Sequence, residues 1–249
     1  MSTWILLRGL ARESRHWGEF PEILRSAIGN AEVVCLDLPG NGRLHRLKSP
    51  LRVEEMAEYC RTELRSRGIP PPYNVLALSL GAMVAVAWAA AHAAQIECCV
   101  LINTSLRPFS PFHHRLKPGN YPALLKLAFL GDTPGKWEKL IMRLTSNRLE
   151  QHEAVLDAWL AYRREDPVSR GNAIRQMFAA SRYRAPERKP AVPVLVLASA
   201  NDALVDPRCS KQLALRWGTE IACHPTAGHD IPLDDGPWVA ERVRVWRRS

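Results

Sequence analysis

The chain has 249 residues, 47% of them hydrophobic and 24% charged. This ordinary globular composition, long enough to bury roughly 70–75% of the unfolded surface, excludes disordered, collagen-like and coiled-coil architectures, and no apolar run reaches the roughly 18 residues of a membrane span. The net charge of +9 is unevenly placed, with 16 Lys+Arg against 8 Asp+Glu between Ser105 and Pro190 and 18 against 17 in the remainder.

In chain order, Trp4–Leu7 is a short apolar run that reads as a strand and ends in a turn at Arg8-Gly9. Apolar residues at helical spacing then predict a helix over Trp17–Ile28. Ala31–Leu36 reads as a buried strand, stopped by the turn formers Asp37-Leu38-Pro39-Gly40-Asn41-Gly42. A helix over Val53–Arg67 closes at Gly68 and Pro70. Tyr73–Leu78 is the next strand and runs through Ser79-Leu80-Gly81 into an Ala-rich helix, Ala82–Ala94. Cys98–Ile102 and Val192–Leu197 are further strands, the latter with a proline near its start, where proline is tolerated. A helix over Pro207–Trp217, a short strand over Glu220–Cys223 and a helix over Gly236–Trp246 complete the pattern.

Short apolar strands alternating with helices predict an α/β fold, a parallel sheet covered on both faces. Residues 105–188 break the rhythm, with helical patterns over Tyr121–Leu130, Trp137–Thr145, Glu150–Tyr162 and Ser169–Ala180 and no clear strand. The chain thus divides into a core, residues 1–104 and 189–249, and a helical lid inserted over the carboxyl edge of the sheet, where ligands bind in such folds. The six cysteines form no Cys-x-x-Cys pair and Cys98-Cys99 lies in an apolar run, so reduced core thiols are expected. The N-terminus has no basic stretch before its apolar run and does not read as a signal peptide, which predicts a cytoplasmic protein. No His/Asp/Glu cluster has metal-ligand spacing and no glycine-rich phosphate loop follows the first strand, so neither metal nor cofactor is expected.

The main chemical signal is Ala77-Leu78-Ser79-Leu80-Gly81 between a strand and a helix. A serine alcohol is a poor nucleophile that needs a base and gains from a sharp, exposed turn, and such a turn demands small residues two before and two after it. The competing reading is a serine that caps the following helix. The base candidate is His229, in a loop after a short strand; His16, His92, His113, His114, His152 and His224 are weaker competitors. The acid candidates are Asp202, in a polar turn after the Val192–Leu197 strand, and Asp206, whose following proline reads as a helix start.

Together these elements resemble the α/β-hydrolase superfamily over nearly the whole chain. Leu6-Leu7-Arg8-Gly9-Leu10 resembles its oxyanion loop, Asp37–Gly42 its Asp-x-x-Gly-x-Gly turn, the Ser79 segment its nucleophile elbow, and Asp202 and Gly228-His229 its acid and base positions. The resemblance implies Ser79 as nucleophile, His229 as base, Asp202 as acid, and the N–H groups of Leu10 and Leu80 as oxyanion hole. It implies a serine esterase acting on a small-molecule ester through an acyl-enzyme. Hydrolysis of a thioester or carrier-protein ester, C–C bond cleavage or lyase chemistry, and non-catalytic ligand binding are the alternatives on the same fold. Arg8 stands where the family usually has histidine, and either binds a substrate carboxylate or phosphate or forms a structural ion pair. The chain also resembles the small lidded esterases that include the pimeloyl-carrier-protein methyl ester esterase. On that likeness Arg143, Arg148, Arg163 and Arg164 would meet an acidic carrier protein, or simply form a solvated face. Nucleic acid is not an expected partner, because no binding motif accompanies the basic segment.

Overall fold

The computed structural model describes residues 2–124, 134–151 and 153–248. Six strands, β1 (Ser2–Leu7), β2 (Ala31–Leu36), β3 (Tyr73–Leu78), β4 (Ile96–Ile102), β5 (Val194–Ser199) and β6 (Glu220–His224), form one parallel sheet in the order β2-β1-β3-β4-β5-β6. Each strand is short and dominated by Val, Leu, Ile, Ala and Cys. This is the composition a strand needs when both faces are covered.

The pleat divides these side chains into two cores. Leu7, Val75, Ala77, Cys99, Leu101 and Val196 face α2 (Val53–Ser66), α3 (Leu80–Ala91) and α8 (Arg208–Trp217). Leu6, Leu76, Leu78, Val100, Leu195 and Leu197 face α1 (Phe20–Ile28) and α9 (Ile231–Trp246). Most of these side chains are fully buried, and each Val or Leu among them contributes about 1.5–3 kcal/mol by leaving water. Helix α3 is buried on every side from Leu80 to Ala89. Its small Ala and Val residues let it pass close to the sheet and bring its N-terminus to the end of β3.

Several boundaries differ from those the sequence predicts. A 3-10 turn over Ser14–Trp17 precedes α1, so the helix begins at Phe20, where Pro21 suits the first turn. Helix α3 begins at Leu80 and ends at Ala91. Helix α9 begins at Ile231, and a break at Asp235 precedes the Gly236–Trp246 part that the sequence pattern predicts. Proline 193 lies just outside β5, which extends to Ser199.

Among the described residues, the segment between β4 and β5 contains a single turn, α4 (Phe112–Arg115), and the longer helices α5 (Pro134–Thr145), α6 (Glu153–Glu165) and α7 (Arg170–Arg182). An isolated bridge between Arg107 and Arg184 draws the two ends of this segment together. The predicted helical stretch from Leu125 to Leu130, and His152, lie outside the described residues. All six cysteines are free, but Cys223 is exposed and Cys35 only half-buried, so the expectation of core thiols holds for Cys60, Cys98, Cys99 and Cys209.

Candidate active site

The chain runs from β1 outward to β2 and then crosses back to β3 on the other side of β1. Loops leaving the carboxyl ends of β1 and β3 therefore part and leave a crevice between them. The Arg8-Gly9-Leu10 loop leaves β1 and Ser79 ends β3, so both border this crevice.

Ser79 adopts φ +57°, ψ −114°, a left-handed conformation that a residue with a Cβ holds only when its surroundings force it. They do so here. The Ser79 N–H donates to Ile102 O at 2.9 Å, which locks the turn to β4, and Thr104 Oγ1 donates to Ser79 O at 3.1 Å. A Cβ on Gly81 would stand 2.4 Å from Leu7 O and 2.6 Å from Arg8 O, so only glycine fits beneath β1. Ala77, fully buried, occupies the other small position. The Ser79 side chain makes no capping hydrogen bond to α3, and Leu80, as first residue of that helix, has an N–H without an intrahelical acceptor. A Gly81→Ala variant is expected to lose about 1–3 kcal/mol of stability by overpacking and to lose activity through displacement of the turn. Thermal unfolding and turnover measured on one preparation check both.

His229 and Asp202 converge from the loops after β6 and β5. His229 Nδ1 and Asp202 Oδ2 are 2.7 Å apart, and both residues are nearly inaccessible to solvent. Asp202 Oδ1 accepts the N–H groups of Leu204 and Val205 at 2.8 and 2.9 Å, which holds the carboxylate in one orientation. Asp206 instead caps α8 and binds Arg208 through Nε at 3.0 Å and Nη2 at 2.7 Å. That guanidinium holds its carboxyl at about 2. Other histidines among the described residues are engaged elsewhere. His224 faces Asp235, His92 pairs with Glu58, and His113 and His114 pack on each other.

The His229 loop is fixed by residues that sequence reasoning did not single out. Asn103, at φ +44° just past β4, donates from Nδ2 to His229 O at 2.7 Å, and its Oδ1 accepts Ser199 N–H at 2.8 Å. Asp230 N–H donates to Thr145 O at 2.7 Å, and a Cβ on Gly228 would stand 2.6 Å from the same oxygen. Asp234 accepts from Ser146 Oγ, Asn147 N and Gly228 N. The only sequence signal for Asn103 is a polar residue at the carboxyl end of an apolar strand.

Arg8 is buried in a two-pronged ion pair with Asp230, the residue after His229, and lies 4.7 Å from the centre of the Trp17 ring. Of the two roles its position suggested, the ion pair is the one its geometry fills. Four residues on, Arg12 binds Glu138 at 2.6 Å, touches His16 Nε2 at 2.9 Å and stacks on Trp159. Burial, with Arg12 and Arg8 beside it, holds His16 well below its ordinary value, so the folded ring is neutral. The unfolded chain takes up a proton at this residue below about pH 6.5 that the folded chain refuses. The contribution of His16 is thus present above that pH and is lost as pH falls. Melting temperature is expected to decline from pH 6.5 to 5 in the wild type and to decline less in His16→Gln.

Ser79, His229, Leu10 and Leu80 all line one cavity of about 560 Å³, with a wall that includes Leu116, Ile141, Met177, Phe178 and Leu204. Of the four predicted arginines in the inserted segment, Arg163 lines this cavity, lies 3.6 Å from Glu138 and covers the Trp137 ring. Arg148 is 3.6 Å from Asp235, while Arg143 and Arg164 are exposed. Among the described residues no group of three or more His, Cys, Asp or Glu is placed to hold a metal ion, and no helix is long and apolar enough to cross a membrane.

A parallel sheet with a serine at the turn after β3, an acid after β5 and a histidine after β6 is the arrangement of an α/β-hydrolase. The profile of the Alpha/beta hydrolase family matches residues 4–242, and the chain belongs to that family. No curated protein matches the chain significantly in sequence. Among solved structures it is similar to an enol-lactonase from Burkholderia xenovorans LB400 at 19% identity and a TM-score of 0.82, covering 100% of this chain and 92% of that one. It is similar to a thermophilic esterase from Thermogutta terrifontis at 20% identity and 0.76, covering 100% and 90%. An esterase from Rhodococcus sp. ECU1013 is similar at 18% and 0.79, covering 100% and 90%. At these identities the likeness is one of fold.

Proposed function

We propose that the protein is a serine hydrolase of small carboxylic esters, with Ser79 as nucleophile, His229 as base and Asp202 as acid. The observation that carries this is the 2.7 Å contact of buried Asp202 with Nδ1 of His229, which lines the same cavity as the strained Ser79 turn. With Nδ1 engaged, Nε2 is the ring nitrogen left to exchange a proton with Ser79. Ser79 Oγ attacks the ester carbonyl as its proton passes to Nε2, and the negative charge on the carbonyl oxygen is met by the Leu10 and Leu80 N–H groups. One such donor is worth about 2.7–4 kcal/mol of transition-state stabilisation. Return of the proton to the departing alkoxide releases an alcohol and leaves an acyl-Ser79. Water, giving its proton to His229, then attacks that ester, and His229 passes the proton to Ser79 Oγ as the free acid leaves.

Residues 105–188 act as the lid over this chemistry in our reading. Their helices supply Ile141, Met177 and Phe178 to the cavity wall. Of the four arginines that an acidic carrier protein would meet, Arg148 and Arg163 face Asp235 and Glu138 while Arg143 and Arg164 are exposed, which favours small esters over a carrier-protein ester. The test is turnover of p-nitrophenyl acetate, butyrate and octanoate, with and without a serine-reactive phosphonate, followed by mass spectrometry. The expected result is turnover that the phosphonate abolishes, with the adduct on Ser79. Labelling of another residue, or turnover indifferent to the phosphonate, would overturn the assignment.

A further inference from the structure

The proposed chemistry leaves the charge on the cavity wall unexplained. Among the described residues, Arg8, Arg12, Arg115, Arg163 and Arg170 line it against a single carboxylate, Asp230. Asp230 neutralises Arg8, and Glu138 receives Arg12 and Arg163. Arg115 has no such partner among the described residues. It is 8% exposed. Its Nη1 and Nη2 donate to the main-chain carbonyls of Ser181 and Ala180 in the last turn of α7, at 3.1 and 2.6 Å. Its Nε is buried and donates to nothing. The helix-end carbonyls offset only part of a unit charge. Burial disfavours the charged form further, and nearby Arg107 adds to that. A buried guanidinium so placed is costly unless an anion completes its shell.

We infer that Arg115 recognises the charged end of the substrate, and that the ester taken by this site carries a free carboxylate. This deepens the ester-hydrolase reading and rests on it. The neighbouring wall, with Leu116, Met177, Phe178 and Leu204, suits an apolar stem between the ester and that carboxylate. The single charge and planar fork of a guanidinium match a carboxylate, with its one charge and two coplanar oxygens. A phosphate monoester would bring up to two charges to the same site.

The test compares p-nitrophenyl half-esters of adipic and suberic acid with p-nitrophenyl hexanoate and octanoate, of equal acyl length. The wild type is expected to favour the charged member of each pair by about tenfold or more in kcat/KM, chiefly through KM. In Arg115→Gln that ratio falls to about one, and in Arg115→Lys part of it returns. A ratio near one in the wild type, or one unchanged in Arg115→Gln, overturns the inference and leaves the ester reading standing if the neutral esters turn over. If none of the four esters is cleaved, the ester reading fails, and calorimetry with monomethyl adipate and methyl hexanoate decides the anion site separately. Binding of the anion alone, lost in Arg115→Gln, supports it, and no anion binding to the wild type ends it. Circular dichroism establishes that each variant is folded. Should Arg115→Gln fail to fold, the wild-type ratio and Arg115→Lys still decide.

Discussion

Ser79→Ala is expected to lower kcat on any ester the protein cleaves by about 10⁶, the loss that follows removal of the serine from a Ser-His-Asp triad, while the fold survives. Structural tolerance is expected because the turn is made by the backbone. Ser79 N–H and O are held by β4 and Thr104, and the close approach under β1 depends on Gly81. The side chain makes no capping bond that alanine would lose. Chemical loss is expected because nothing else at this turn can form the acyl bond. Circular dichroism and a phosphonate-labelling assay accompany the kinetics, and the adduct must vanish with the hydroxyl. A variant that still turned over esters within about tenfold of wild type would place the nucleophile elsewhere.

The strands were legible because burial on both faces leaves a parallel strand little choice but an unbroken apolar run. Ala31–Leu36 and Tyr73–Leu78 are recovered end to end, and the others within two residues. Helix starts were less legible. The onset of α9 at Ile231 follows from the tight turn at Asp230, and its break at Asp235 puts the first turn of the helix outside the periodic pattern. Asp202 and His229 could be picked out because each follows a strand in a parallel sheet, where chain order alone brings loops to one edge. What holds them could not. Asn103 reaches His229 across 126 positions, and Ser146 reaches Asp234 across 88. A single sequence carries no local signature of a partner so distant. Arg8 shows the same limit. Its unusual identity was visible, but the two readings of it separate only when Asp230 is seen beside it, 222 positions away.

Asp202→Asn carries the second large effect, a fall of about 10⁴ in kcat with little change in the fold. The asparagine oxygen can still accept Leu204 and Val205 N–H, so the turn after β5 keeps its shape. The amide nitrogen then stands where Oδ2 faced His229 Nδ1 at 2.7 Å. An amide there donates, so Nδ1 must accept, and the ring proton moves to Nε2. That is the nitrogen that has to receive the Ser79 proton, and the imidazolium formed in the reaction loses its carboxylate as well. The defect is therefore chemical and should leave thermal stability and phosphonate-site geometry close to wild type. Asp206→Asn is the matched control. It weakens a helix cap and a surface ion pair with Arg208, for about 1 kcal/mol of stability, and should leave kcat unaltered. Because the two aspartates lie four positions apart on one loop, general damage to that loop would slow both variants alike. Only a carboxylate acting through His229 separates them, and the reverse pattern, with Asp206→Asn slow and Asp202→Asn active, would assign the acid to Asp206.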